Sequence, residues 1–203
     1  MISYNYSQLI LGVMATLIGI IQYSIYIIDI LKGKTHPHAF SWFTWGLPCG
    51  IVYAAQYLSG GGAGAWTTAM TAFACTFIFI LSLFYGERNI TKLDWTSLFI
   101  ALFSILLWII VKDPLGSVIL ITIIDVAGFV PTIRKSILKP YEETLGTYII
   151  GGLKWILSLL AMSTISLTVW LYPIAMVVAN WMFVVLLLRR RSFLSKTAGE
   201  YLN

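Results

Sequence analysis

Residues 125–155 read DVAGFVPTIRKSILKPYEETLGTYIIGGLKW and set an acid, a proline and a lysine into otherwise apolar sequence. Asp125 and Lys154 each lie about ten residues inside an apolar segment, deep enough to fall near the midplane of a bilayer. An ionised side chain there costs roughly 3 kcal/mol on insertion scales, so a membrane helix rarely carries one without a partner or a task. The rest of the sequence is therefore read outward from these two charges.

Composition sets the solvent. Of the 203 residues, 59% are hydrophobic and 10% charged, with a mean hydropathy of +0.88. No water-soluble fold of that length buries so much apolar surface, which implies an integral, all-α membrane protein with the lipid bilayer as its main partner. The first apolar run, Leu9 to Leu31, is too long for a cleaved signal peptide and lacks a basic flank before it and a small-residue cleavage site after it. It is expected to be the first spanning helix. Cys49 and Cys75 fall inside apolar segments and behave as small hydrophobes rather than a disulfide framework. The net charge of +5 comes from short loops and a tail beside spanning segments, which excludes nucleic acid as its explanation.

Seven segments are expected to span: Ser7 to Leu31, Phe40 to Leu58, Ala65 to Tyr85, Trp95 to Val111, Leu115 to Thr132, Gly146 to Trp170 and Leu171 to Leu188. The last two are nearly fused, with Tyr172-Pro173 as the expected break, because proline suits a helix's first turn and not its interior. Lysine and arginine fix the orientation. With the N-terminus outside, Lys32, Lys34, Arg88, Lys92, Arg134, Lys135, Lys139, Arg189, Arg190, Arg191 and Lys196 face the cytoplasm, while Lys112 lies outside and Lys154 within the sixth segment. The positive-inside rule thus gives an N-out, C-in protein, expected in a bacterial inner membrane.

The segments repeat. At an offset of 107 residues, Ile30-Leu31-Lys32 falls on Ile137-Leu138-Lys139, Phe40 on Thr147, Ala54 on Ala161 and Ala72 on Ala179. One helix separates the triplets, so both run the same way. Parallel repeats of this kind place a substrate site near the midplane at their interface. The expected units are 1–85 as the first three-helix bundle, 86–114 as a linker helix with its loops, 115–188 as the second bundle and 189–203 as a basic cytoplasmic tail.

Three plus one plus three helices, with GFVPTIRKSILKP closing the fifth, resembles the SWEET and PQ-loop superfamily of small transporters. In that family a Pro-Gln pair closes the first and fifth helices; here the fifth has Pro131-Thr132 and the first Ser24-Ile25. Asn180 and Trp155 match the family's second-half asparagine and tryptophan, whereas Phe73 and Pro48 stand at the matching first-half positions. The resemblance implies alternating access between two bundles. Its departures favour an amino acid or a vitamin-like solute over a plain sugar, with proton coupling open.

The residues point to the same region. Asp125, Gly128 and Thr132 share a helix face, and Pro131 frees the carbonyl of Ala127. Lys154, Trp155, Asn180 and Trp181 are expected at similar depth, with Gln22, Tyr23, Tyr53 and Gln56 as uncharged candidates in the first half. The expected substrate-binding set is Asp125, Lys154, Trp155, Asn180, Trp181, Gln22 and Tyr53, with Pro48 and Pro131 as hinges. Whether the two charges pair with each other or with substrate stays open. Trp42, Trp66, Trp95, Trp108 and Trp170 are read as interfacial belt residues, and His36 and His38 as solvated gate residues rather than metal ligands. No metal cluster, cofactor motif or catalytic set is apparent, so the protein is not expected to be an enzyme. A non-transporting peptide receptor of the same architecture is the alternative, and homo-oligomerisation is left open. A retinal pigment would need a lysine between Leu171 and Leu188, where there is none.

Overall fold

The computed structural model describes residues 5–111 and 113–200, and within them the chain forms seven α-helices and two short 3-10 turns. The helices are α1 (Tyr6–Leu31), α2 (Ala39–Leu58), α3 (Trp66–Tyr85), α4 (Lys92–Val111), α5 (Pro114–Leu138), α6 (Leu145–Leu160) and α7 (Leu167–Glu200). Lys112 and the side chains of Trp108 and Lys196 lie outside the described residues.

Helix starts follow from local chemistry. Pro114 begins α5 just after Asp113, whose side chain accepts from the Gly116 amide at 2.5 Å. At the start of α4 a reciprocal box forms: Thr91 N donates to Asp94 Oδ2 at 2.7 Å, and Asp94 N to Thr91 Oγ1 at 3.4 Å.

The break between the last two helices is not at Tyr172-Pro173. It lies at 161–166, where Ser163 and Thr164 turn to other partners: Ser163 N donates to Gly61 O at 3.3 Å and Thr164 Oγ1 to Gly60 O at 3.0 Å. Short hydroxyl side chains compete with the helical ladder in this way. Pro173 sits inside α7 instead. Its missing N–H frees the carbonyl of Val169, and the buried Gln56 side chain donates to that oxygen at 3.2 Å. A long-range partner thus removes the penalty that makes a break look necessary. Nor does the helix stop at Leu188, because α7 carries Arg189, Arg190 and Arg191 on to Glu200.

Four stretches, Tyr6–Leu31, Gly62–Tyr85, Pro114–Leu138 and Leu167–Ser195, are long and apolar enough to cross a membrane. The distribution of side chains suits lipid. Phe73, Ile110 and Ile165 are 77%, 74% and 82% exposed, whereas Gln56, Asp125 and Lys154 are completely buried. In a bilayer the apolar surface costs nothing and the polar groups must find partners inside.

Neighbour relations are regular. α3 packs against both α1 and α2, and α7 against both α5 and α6. Across the middle α1 faces α6 and α2 faces α5, while α4 lies on the outside of α5 and touches α2. The α1–α2, α3–α4 and α5–α6 connections gather at one end with most of the cations, here termed the basic end. The α2–α3 and α6–α7 connections form the opposite end.

Candidate functional site

Several of the polar residues buried by this arrangement line one central cavity of about 40 Å³. Gln22 and Tyr23 of α1, Trp45 of α2, Thr71 of α3, Asp125 of α5, Thr147 and Trp155 of α6, and Tyr172 and Asn180 of α7 are among its walls. The space suffices for water and for little else.

Two charged poles sit beside it. Asp125, on α5, accepts from the Tyr172 hydroxyl through Oδ2 at 2.5 Å. Tyr172 has one proton to give, so the Cys49 thiol, 2.9 Å from the same phenol oxygen, acts as donor to it. Asp125 Oδ1 is buried without a partner. Lys154, on α6, donates to Tyr23 Oη at 3.2 Å and to Thr71 Oγ1 at 3.1 Å. Its ammonium also lies 4.6 Å and 4.7 Å from the ring centroids of Tyr23 and Trp155, a cation–π cradle worth more when desolvated. Asp125 and Lys154 form no ion pair. Each is held by its own neutral partners: Asp125 by Tyr172 of α7, and Lys154 by Tyr23 of α1 and Thr71 of α3.

Further polar atoms are unspent. Gln22 Oε1 and Thr147 Oγ1 are buried on the cavity wall with no hydrogen-bond partner, as is Asp125 Oδ1. Buried polar atoms are nearly always satisfied, so three orphans on one wall mark a place where water or a ligand belongs. Asn180 Nδ2 is used on its own helix, donating to Met176 O at 2.8 Å. Gly151 lets this residue and Gln22 approach α6: a Cβ added there would lie 2.6 Å from Asn180 Oδ1 and 2.8 Å from Gln22 Nε2.

Of the expected site residues, Asp125, Trp155, Asn180 and Gln22 come together on the cavity, and Lys154 stands directly behind Tyr23 and Thr71. Two do not join them. Tyr53 is half-buried on the far part of α2, its ring 6.0 Å from Tyr57. Trp181 faces away, its indole edge against Gly152 and its ring lining an outer groove. One helical position, about 100° of rotation, separates Asn180 from Trp181, so depth alone does not distinguish them. Pro48 and Pro131 are buried inside α2 and α5.

Other residues differ from their expected roles. Trp42 is 3% exposed and packs on Tyr26 with ring centroids 4.8 Å apart, lining the cavity instead of a membrane interface. His38 is fully buried, with Nε2 3.4 Å from Asp94, and is not a solvated residue. Gln56 is a structural bridge, holding Val169 O and accepting from Thr68 at 2.7 Å. Sequence reasoning missed Tyr172, Thr71 and Trp45. The last donates to the Asp125 carbonyl at 2.9 Å. Its spacing of three from Trp42 and four from Cys49 is a usable signal for a shared inward face.

Toward the basic end the cavity is capped by a second buried network. Lys135 of α5 is ion-paired with Glu143, whose other oxygen accepts from Tyr26 and Tyr148, both at 3.1 Å. Lys135 also donates to the backbone oxygens of His36 and Glu142 at 2.5 and 3.1 Å. No family model, curated protein or solved structure matches this chain.

Proposed function

We propose that the protein is an integral membrane transporter of SWEET or PQ-loop type, carrying a small polar solute through the central cavity by alternating access. The observation that carries this is the pair of buried, mutually unpaired charges beside a cavity whose wall holds three orphaned polar atoms. A purely structural charge pair would be expected to meet, since a single buried ion left without its counter-ion is strongly unfavourable. Here Lys154 offers its remaining donor to an anionic group such as a carboxylate, and Asp125 Oδ1 accepts from a cationic group or takes a proton. A zwitterionic amino acid or a vitamin-like solute suits two poles better than a plain sugar does.

Repeat architecture supports the same proposal. α1 closes at Leu31 and α5 at Leu138, the same 107-residue offset found in the sequence, and each triplet sets its third helix between the other two. The cross-contacts α1 with α6 and α2 with α5 are those a pseudo-twofold would exchange. α4 then serves as the linker that keeps the triplets parallel, with the N-terminus outside and the basic end in the cytoplasm. Because 40 Å³ admits no metabolite, solute entry requires the bundles to move apart, with Pro48 and Pro131 as hinges.

The test is flux and melting temperature in reconstituted vesicles for Asp125→Asn, Lys154→Met and the double variant, across a panel of amino acids and vitamins. A solute found by thermal shift with wild-type protein serves as cargo. Both single variants should lose flux while remaining folded, and the double should stay silent. Recovery of flux in the double variant would show that the charges only neutralise one another and would overturn the proposal.

A further inference from the structure

On the outer face, between the basic-end halves of α5 and α7, lies a groove of about 770 Å³. Ile137 of α5 and Trp181, Val185, Leu186 and Phe193 of α7 wall it, and Arg189 and Arg190 stand at its mouth. A narrower apolar cleft of about 160 Å³ continues from Met182 and Leu186 past Ile133 to Phe129, whose ring also lines the central cavity. A membrane protein exposes apolar surface everywhere, but mostly as convex helix faces. This surface is a broad, open groove tipped with charge.

The arginines are the discriminating feature. Four other cations at this end are engaged: Arg134 by Asp94, Lys135 by Glu143, Lys139 by Glu87, and Arg191 by the carbonyls of Pro140 and Glu143, whereas Lys32 and Lys34 are exposed and lie outside this groove. Among the described residues neither Arg189 nor Arg190 has a carboxylate within 4.0 Å. Arg190 is nevertheless fixed, its Nε donating to Ile137 O at 2.6 Å and its guanidinium 5.3 Å from the Phe193 ring. That leaves terminal N–H groups of a pre-oriented fork at the groove mouth, the geometry that suits a phosphate.

We infer that the α5–α7 groove binds one anionic glycerophospholipid, its phosphate on Arg189 and Arg190 and an acyl chain running along Val185 and Leu186 toward Phe129. This rests on the membrane placement proposed above, in which the basic end meets the headgroup layer, where juxtamembrane cations attract anionic lipid. It does not rest on any solute. The chain end lies one aromatic ring away from the central cavity, so lipid occupancy would brace Phe129 and the α5–α7 contact.

The experiment uses full-length protein, delipidated in a neutral detergent and titrated with phosphatidylglycerol or phosphatidylcholine while melting temperature is read. Phosphatidylglycerol should raise the melting temperature by about 5 °C near saturation, and phosphatidylcholine should not. Arg189→Gln with Arg190→Gln should abolish the difference, and so should Val185→Trp, which fills the groove with both arginines intact. Lys32→Gln with Lys34→Gln, which removes two exposed cations elsewhere at the basic end, should preserve it. Equal shifts for both lipids, retention of the difference in the double arginine variant, or its loss in the lysine variant would overturn the site. Lipid-free protein that sediments as a dimer, and as a monomer once Val185→Trp is made, would assign the groove to a second copy and overturn it as well. Recovery of flux in the double Asp125 and Lys154 variant, which would overturn the transport proposal, leaves this readout untouched, so the two proposals fail separately.

Discussion

At the basic end the central cavity is shut by long side chains, with Lys135, Glu143, Tyr26 and Tyr148 in one buried network. At the opposite end it is shut by backbone on small residues. A Cβ added at Gly12 would fall 2.6 Å from that of Ala63, and one at Gly64 would fall 2.6 Å from the carbonyl of Ser158. The difference is one of reversibility. A side-chain network has an open alternative in which each charge is hydrated, so parting it exchanges one set of polar partners for another. Close packing has no such alternative and must give up dispersion contacts outright. In the transport cycle proposed here the basic end is therefore the one that opens at lower cost, and the opposite end is the firmer plug in this closed form.

The largest effect that would break this comparison concerns the buried pair. Lys135→Met leaves Glu143 charged with only tyrosine donors, and removing one partner of a buried pair typically costs about 3–5 kcal/mol. The double variant Lys135→Met with Glu143→Gln should regain most of that loss, because no uncompensated charge remains. Melting in detergent checks both. In vesicles the folded double variant should also admit an impermeant thiol reagent from the basic end to Cys75, which is 2% exposed in the closed form. If the single variant melts like wild type, the network does not hold this end shut.

A smaller effect is expected at the other end. Gly12→Val forces a branched side chain onto Ala63, and overpacking of this kind costs about 1–3 kcal/mol. Unlike the loss at the pair, no second substitution should rescue it, not even Ala63→Gly, because the backbone oxygen and carbonyl carbon of residue 63 lie 2.7 and 2.8 Å from the added Cβ whatever its side chain. A Gly12→Val with Ala63→Gly protein that melts as low as Gly12→Val alone sharpens the contrast between a lock and a plug. A Gly12→Val protein as stable as wild type would remove the distinction.

Much of this is legible in the amino-acid sequence. Hydropathy marks the stretches long enough to span, and the charges inside them mark Asp125 and Lys154 as residues needing an explanation. What the sequence withholds are the partners. Tyr172 meets Asp125 across 47 positions, and Tyr23 meets Lys154 across 131. No periodicity reports a contact between helices that far apart. Tyr172 is also concealed by its neighbour: Pro173 suggests a helix boundary, and only the Gln56 bridge to Val169 O explains why the helix runs through. Lys135 and Glu143 are eight residues apart and read as loop charges serving topology. Burial turns them into a network, and burial depends on how α1 and the α5–α6 connection meet.

His38 supplies the smallest effect and the most specific to one end. It precedes α2 at the basic end, outside the spanning segments, and burial holds its imidazole below the ordinary value despite the pull of Asp94 on α4 in the other direction. Arg134 and Lys135 of α5 also lower it. A histidine depressed in the folded state binds fewer protons there than in the unfolded chain. Its stabilising contribution is then complete above the unfolded value near 6.5 and is lost as pH falls through 6.5 toward the lower folded value. Melting temperature should therefore drop between pH 7.5 and 5.5, and His38→Gln should flatten that part of the profile by a degree or two without altering the plateau slope above pH 7.5. At the opposite end the hydrogen-bonded side chains beside the small-residue contacts are Gln8, Gln56, Thr68, Ser158, Ser163 and Thr164, none of which titrates. The Gly12→Val protein should accordingly keep the wild-type pH profile, shifted down as a whole. An unchanged profile in His38→Gln, or a profile reshaped by Gly12→Val, would mean that the acid sensitivity does not belong to the basic end.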